Sequence, residues 1–144
     1  MGGRPRVHAR DEIELMLIDS SAWIEFLRDT GSPMCRRVED LLDSDIATCD
    51  PIRMEILSGA RNDRHLNDLR RLLARATNLP TRATDYEEAA SLYRICRRGG
   101  ETVRKLTDCL IASVAIREDV VLLHVDADYD VLSRHTKLRI EPAR

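Results

Sequence analysis

The fold is decided by residues 15–28, which read LMLIDSSAWIEFLR. A continuous run of four apolar residues is followed by Asp19, Ser20 and Ser21, and then by a second, mostly apolar segment. A short continuous apolar run is typical of a parallel strand covered on both faces. Aspartate and serine are favoured at the residue that caps the start of a helix. The stretch therefore predicts a buried strand that leads directly into a helix, with Asp19 at the junction.

A second strand of the same kind is predicted near the other end of the chain. Residues 120–125 read VVLLHV, and Asp126 follows them. Weaker strand patterns occur at residues 46–48 and 77–79. Short strands that alternate with helical segments predict an α/β fold, in which a short parallel sheet of four or five strands is flanked by helices in three α/β/α layers.

Helical spacing of apolar residues and helix-start residues fill the intervals between these strands. The helix that begins at residue 107 should be the most deeply buried, because residues 109–116 contain Ser113 as their one polar residue. Six helices are predicted, close to residues 22–28, 34–42, 50–59, 66–76, 86–98 and 107–118.

Length and composition are those of one ordinary domain. The chain has 144 residues, of which 43% are apolar and 33% charged. We expect a single domain at residues 15–144 after a disordered tail at residues 1–14, with Met16 as a candidate natural start. No apolar run approaches the roughly 20 residues that span a bilayer. We therefore expect no membrane association and a cytoplasmic protein, in which the four cysteines are reduced thiols.

Four acidic residues stand where a predicted element starts or ends, and folding could bring them together. Asp19 and Asp126 follow strands, Glu55 lies one turn into the helix begun by Asp50-Pro51, and Asp108 opens the buried helix beside Thr107. In parallel sheets, the carboxyl ends of the strands line the ligand crevice. Clustered carboxylates repel one another and remain ionised only if a cation compensates them. The pattern predicts a site for Mg²⁺, with Mn²⁺ as the alternative ion, and hence hydrolysis of a phosphodiester by metal-activated water.

Each of these acids also has an ordinary structural interpretation. Asp19 could simply cap a helix, and Glu55 could be a solvated residue on a charged helix. Asp126 and Asp128 could form a turn or a helix entry. Asp108 is different, because a carboxylate that adjoins buried surface requires a partner.

A group of cations precedes Asp108 and flanks the Gly99-Gly100 pair. Such a group can grip a nucleic-acid backbone, although an exposed helix end also favours cations through its dipole. The net charge of −2 does not exclude nucleic acid, since an acidic site can lie within a basic rim. Aromatic residues make up 3% of the chain, which argues against a base-stacking surface. The candidate nucleic-acid-binding residues are Arg94, Arg97, Arg98, Arg104 and Lys105.

Four ordered segments together resemble a known family. They are LIDSSAWIEFLR at residues 17–28, DPIRMEILSGA at 50–60, TDCLIASVAI at 107–116 and LLHVDADYDVL at 122–132. Taken together, these segments resemble PIN-domain ribonucleases and, more narrowly, the VapC toxins of bacterial toxin–antitoxin pairs. The resemblance extends from Met16 to about Arg139, and one departure is that Tyr129 stands where the family usually has Phe.

The resemblance implies a Mg²⁺-dependent endoribonuclease that cuts structured RNA, either tRNA or rRNA. It assigns Asp19, Glu55, Asp108 and Asp126 to the metal site. It also implies a cognate VapB-like antitoxin and a homodimer. By this resemblance Asp128 is an accessory acid and Ser21 supports the site through its hydroxyl. Thr107, beside Asp108, is predicted as a third accessory residue.

The alternative to an enzyme is a non-catalytic α/β domain with an acidic pocket that acts as a binding or regulatory module. A phospho-receiver domain would need an acidic pair after the first strand and a lysine after a late strand. Here Ser20 follows Asp19, and Lys137 follows no clear strand. A degenerate PIN domain would retain the fold alone, and the presence of all four acids argues against it.

Overall fold

A computed structural model describes residues 14–141, and the sheet lies at the centre of this part of the chain. The predicted tail, residues 1–14, falls outside the described residues apart from Glu14. Within the described range, four parallel strands pair in the order β3-β2-β1-β4. This result confirms the predicted parallel sheet, which has four strands where four or five were predicted. The strands are β1 (Met16–Ile18), β2 (Ile46–Cys49), β3 (Thr77–Leu79) and β4 (Val121–Leu123).

Seven helices of the described chain flank this sheet, which confirms the predicted α/β class. None of them has both the length and the apolar character needed to cross a membrane. The helices are α1 (Ser20–Leu27), α2 (Pro33–Leu41), α3 (Asp50–Leu57), α4 (Asp63–Leu73), α5 (Ala83–Arg98), α6 (Leu106–Glu118) and α7 (Ala127–His135).

The core lies on the two central strands and on α6. All three residues of β1 are buried, as the continuous apolar run predicts. In α6, residues 108–115 are buried without a break, so this helix is surrounded by other elements. The ring of Trp23 in α1 is fully buried as well. β3 is an edge strand with one buried residue, Leu79, which explains its weak sequence signal.

Element boundaries differ from the predicted ones where a capping side chain was overlooked. α4 begins at Asp63, because the side chain of Asn62 accepts a hydrogen bond of 2.8 Å from the backbone N–H of His65. α5 begins at Ala83, where the Asp85 carboxylate accepts from the N–H of Arg82 at 2.8 Å. Polar residues set the first residue of each of these helices, whereas the predicted starts were placed at the first apolar residue of each helical pattern.

Two further boundaries differ from the predicted ones at junctions between a strand and the helix that follows it. Asp50 was predicted to cap α3, but Cys49 at the end of β2 is the cap residue and Asp50 is already helical. The apolar run at residues 120–125 is strand only over β4, and Val125 is 46% exposed. β2 thus passes directly into α3, whereas residues 124–126 separate β4 from α7.

Candidate active site

Asp19 lies at the carboxyl end of β1 and caps α1 with one of its two oxygens. Its Oδ2 accepts hydrogen bonds from the backbone N–H and the hydroxyl of Ser21, at 2.9 and 2.6 Å. Its Oδ1 faces the hydroxyl of Tyr129 at 2.8 Å. The side chain is buried. The helix-cap interpretation is therefore right, and it leaves the second oxygen directed towards the other acids.

Ser21 connects the ends of β1 and β4, which are neighbours in the sheet. While its hydroxyl donates to Asp19, the same oxygen accepts the backbone N–H of Val125 at 3.1 Å, beyond the end of β4. The N–H of Asp19 in turn donates to the carbonyl of Leu123 at 3.0 Å. These bonds hold the residues after β1 and β4 in a fixed relation, so the acids that follow the strands share one edge of the sheet.

Asp108, in the first turn of α6, is the most perturbed carboxylate. It is 2% exposed, and its Oδ1 lies 3.2 Å from the Tyr129 hydroxyl. Its Oδ2 is buried without a hydrogen-bond partner among residues 14–141, and the Lys105 ammonium is 3.8 Å away. Burial, and then the charges of Asp126 and Asp19, raise the pKa of Asp108 to about 8. A buried oxygen of this kind calls for a proton or a cation.

Tyr129 joins Asp19 to Asp108 through one hydroxyl. The side chain is fully buried in α7, and burial together with the two carboxylates raises its pKa well above the ordinary value. A phenol has one proton, so it donates to one carboxylate at a time. Sequence reasoning treated Tyr129 only as a packing aromatic. The available signal was a tyrosine beside an acid-rich segment, since a buried phenol needs a polar partner.

Asp126 caps α7 and pairs with a cation. Its Oδ1 accepts the N–H of Asp128 at 2.9 Å, and its Oδ2 is 2.6 Å from the Lys105 ammonium. The guanidinium of Arg104 lies 3.4 Å from Oδ1. Burial raises the pKa of Asp126, but the Lys105 ammonium and the Asp128 amide outweigh burial, and the pKa is lowered overall.

Asp128, predicted as an accessory acid, lies within the same cluster. Asp108, Asp126 and Asp128 each present a carboxylate oxygen within 4.8 Å of the others. The Asp128 side chain is buried, and it accepts bonds from the backbone N–H groups of Arg104 and Lys105, both at 3.2 Å. The structure therefore brings this acid to the cluster with its two oxygens already bonded.

Glu55, in α3, lies at the periphery of the acids and is partly buried. Its Oε1 accepts a hydrogen bond of 2.8 Å from the hydroxyl of Ser20. Burial, with the charges of Asp19 and Asp126, raises the pKa of Glu55. Glu55 is thus electrostatically coupled to the site without belonging to its tight cluster.

The predicted RNA-binding cations separate into two groups, and Thr107 lies beside the second group. Arg94, Arg97 and Arg98 are exposed on the last turns of α5, where the Arg97 guanidinium stacks on the Tyr93 ring with 5.4 Å to the centroid. Arg104 and Lys105 instead contact the acids. Thr107 is half-buried in the first turn of α6, next to Asp108.

The donor set fits a hard divalent cation. The acids supply carboxylate oxygens, which such ions prefer, and the unpartnered Oδ2 of Asp108 is available for an ion. The Lys105 ammonium supplies only part of the neutralising charge, because it is paired closely with Asp126 and stands further from Asp108. The arrangement can bind a cation at the carboxyl edge of the sheet, with a basic surface beside it.

Comparison with known proteins identifies the family of this chain. The PIN domain family model matches residues 16–135. Ribonuclease VapC11 of Mycobacterium tuberculosis is 47% identical over 129 residues, which cover 87% of this chain and 96% of the relative. The chain therefore belongs to the PIN-domain family and, within it, to the VapC ribonucleases. The resemblance carried by the four sequence segments is confirmed, and a phospho-receiver domain is excluded.

Solved structures show the same fold at low sequence identity. VapBC2 from Rickettsia felis, bound to a promoter DNA fragment, has a TM-score of 0.72 at 18% identity and covers 90% of this chain and 99% of its own. VapC20 of Mycobacterium tuberculosis, described as a sarcin-ricin loop cleaving toxin, has a TM-score of 0.60 at 16% identity, covering 86% and 98%. At sequence identities of 16% and 18%, the similarity shows that the fold is shared.

Proposed function

We propose that this chain is the toxin of a type II toxin–antitoxin pair and acts as a Mg²⁺-dependent endoribonuclease on structured RNA in the cytoplasm. Its substrate would be tRNA or rRNA. The observation that carries the proposal is the buried Oδ2 of Asp108, which lies among acids at the carboxyl edge of the sheet and has no hydrogen-bond partner within residues 14–141. Membership of the VapC ribonucleases supplies the class of reaction.

Asp19, Asp108 and Asp126 would hold the ion, with Glu55 binding a second ion or ordering waters. When bound, the ion supplies an activated water and stabilises charge on the leaving oxygen. Ser21 and Tyr129 fix the orientation of Asp19, and Tyr129 also contacts Asp108. Water, rather than a ribose hydroxyl, is the nucleophile, so the products carry 5′-phosphate and 3′-hydroxyl ends.

The cations would hold the RNA backbone beside the acids. Arg94, Arg97 and Arg98 form an exposed group on α5, and phosphate contacts of this kind fix the register of a nucleic acid without reading its sequence. The solved relative VapC20 is described as cleaving the sarcin-ricin loop, which supports rRNA as one of the two substrate classes.

A VapB-like antitoxin is the proposed partner. The fold neighbour from Rickettsia felis was solved as a VapBC complex on DNA, which supports a partner of this kind. On the basis of the family resemblance, we also propose that this chain forms a homodimer.

Metal removal tests the proposal directly. In a cleavage assay on total RNA, EDTA should abolish cutting, and Mg²⁺ or Mn²⁺ in excess should restore it. The Asp108→Asn variant has nearly the same shape and should be inactive under all these conditions. Sequencing of new 5′-phosphorylated ends would identify the target. Cutting that survives EDTA would contradict the mechanism, whereas RNA binding without cutting in either ion would indicate a non-catalytic binding module.

A further inference from the structure

The loop that joins α5 to α6, residues 99–105, is held to α7 at both of its ends. Near its start, the Glu101 carboxylate bonds Arg134 and His135 of α7. At its end, Arg104 and Lys105 contact Asp128 in the first turn of α7. The position of the two cations relative to the acids is therefore set by α7.

Asp128 makes the contacts at the end of the loop with both of its oxygens. Oδ1 accepts the backbone N–H and the Nε–H of Arg104, both at 3.2 Å. Oδ2 accepts the backbone N–H of Lys105, also at 3.2 Å. The carboxylate is buried, unlike the Arg104 side chain, which is 70% exposed. Oδ1 of Asp128 therefore has both of its lone pairs engaged and Oδ2 has one engaged. Oδ2 of Asp108, by contrast, has no hydrogen-bond partner among the described residues, so Asp108 is the better ligand for an ion.

We propose that Asp128 is a positioning residue that clasps the backbone of residues 104 and 105 and does not ligate the metal ion. These bonds fix the backbone positions from which the Arg104 and Lys105 side chains project. The Lys105 ammonium then stands 2.6 Å from Asp126 and 3.8 Å from Asp108. The Arg104 guanidinium reaches Asp126 and remains accessible to an RNA phosphate. The RNA part of this inference rests on the proposed function, and the clasp itself does not.

Amide hydrogen exchange followed by NMR tests the clasp without any activity. In Asp128→Asn, one oxygen is replaced by an NH₂ group that cannot accept a hydrogen bond. At least one of the two amides, that of Arg104 or that of Lys105, should exchange about tenfold faster than in the wild type. The Asp19 amide, which donates to Leu123 between strand ends, should keep its protection. Unchanged exchange at residues 104 and 105 would overturn the clasp.

Mn²⁺ titration followed by EPR separates a clasp from a ligand. Asp128→Asn should keep the Mn²⁺ dissociation constant within about threefold of the wild type, whereas Asp108→Asn should raise it at least about tenfold. Equal losses in the two variants would make Asp128 a ligand and reject the proposal.

Asp85→Asn is the matched control, because Asp85 is also a buried aspartate that accepts one backbone N–H and an arginine guanidinium. It lies at the start of α5, and its partner is Arg117. It should leave both Mn²⁺ affinity and the KM for RNA unchanged, even if the melting temperature falls.

A double-mutant cycle on RNA cleavage completes the test. Asp128→Asn should raise the KM about tenfold. In the Arg104→Ala, Lys105→Ala background, Asp128→Asn should not raise the KM further, because Asp128 acts through the side chains of those two residues. A further tenfold loss in that background would contradict the inference. If the wild type cuts no RNA at all, the proposed function fails, while the exchange and Mn²⁺ measurements still decide the clasp.

Discussion

At the scale of single residues, the Asp108 carboxylate links metal binding to pH. Its pKa of about 8 in the metal-free protein reflects burial and the charges of Asp126 and Asp19. Because the folded protein holds this proton at pH values where the unfolded chain has released it, the group makes the metal-free fold less stable as pH rises from about 4 to 8. A bound cation would take the place of the proton.

Metal affinity should therefore rise with pH. We expect Mg²⁺ or Mn²⁺ to bind more tightly at pH 8 than at pH 6, by up to about tenfold per pH unit, because a proton must leave Asp108 first. Isothermal titration calorimetry in two buffers of different ionisation heat measures both the affinity and the proton released. In Asp108→Asn the pH dependence over this range should be much weaker. Equal wild-type affinity at the two pH values would contradict the role of this proton.

The Tyr129 hydroxyl gives a second prediction at this scale. In Tyr129→Phe the ring is kept, but Asp19 and Asp108 lose their shared donor. We expect the metal-free protein to lose about 1–2 kcal/mol of unfolding free energy in urea titrations with EDTA. Saturating Mg²⁺ should recover part of that loss, since a cation relieves the same repulsion. Tyr93→Phe, on the surface of α5, is the control and should have little effect.

At the scale of elements, the site depends on short junctions between a strand and the helix that follows it. Asp19 is both the residue after β1 and the cap of α1, and Asp126 stands close after β4 and caps α7. Because a cap residue has a restricted backbone conformation, each carboxylate is held by its own element boundary. Such acids were predictable from sequence, since a buried strand and a cap residue both leave local signals.

The His135 side chain of α7 leaves little room for a side chain at position 99, at the end of α5. A Cβ atom added there would lie 2.5 Å from Cε1 of His135. Gly99→Ala should therefore cost about 1–3 kcal/mol of unfolding free energy in urea titration. The double variant with His135→Ala should recover part of this loss, although it also removes the bond to Glu101. If the two losses simply add, the close approach is not the cause.

The exposed arginines of α5 predict a salt-dependent loss of RNA affinity. Arg97→Ala together with Arg98→Ala should weaken binding, and the slope of log Kd against log salt should fall by roughly 1–2. Fluorescence anisotropy at several salt concentrations measures both quantities. Arg70→Ala with Arg71→Ala is the matched control, because these are adjacent exposed arginines in the last turn of α4. Equal slopes for the wild type and the α5 variant would count against the predicted surface.

At the scale of the whole molecule, sequence patterns were informative where a signal is local. Continuous apolar runs located β1 and β4, and the acids that follow them were predicted to meet at one edge. The helix starts at Asp63 and Ala83 were missed because polar residues, rather than apolar spacing, set them. The family assignment needed the four segments together, since any one of them is common.

The contacts inside the site were not predictable in the same way. The bonds from Asp128 to residues 104 and 105 join positions more than 20 residues apart and depend on how α7 packs against α6 and the loop. The two bonds of the Tyr129 hydroxyl depend on the same packing. A single sequence records which residues are present, but it does not record which way a helix faces.

The buried ring of Trp23 gives the molecule an optical reporter of its own. It is the chain's one tryptophan, it follows Asp19 by one helical turn, and its ring meets Phe26 edge-on with centroids 6.2 Å apart. Indole emission moves to shorter wavelength in apolar surroundings. The wavelength of maximum emission should therefore be shorter in the native state than in the unfolded state. Fluorescence spectroscopy can thus follow unfolding, and the ordering of α1 as ions are added, without any attached dye.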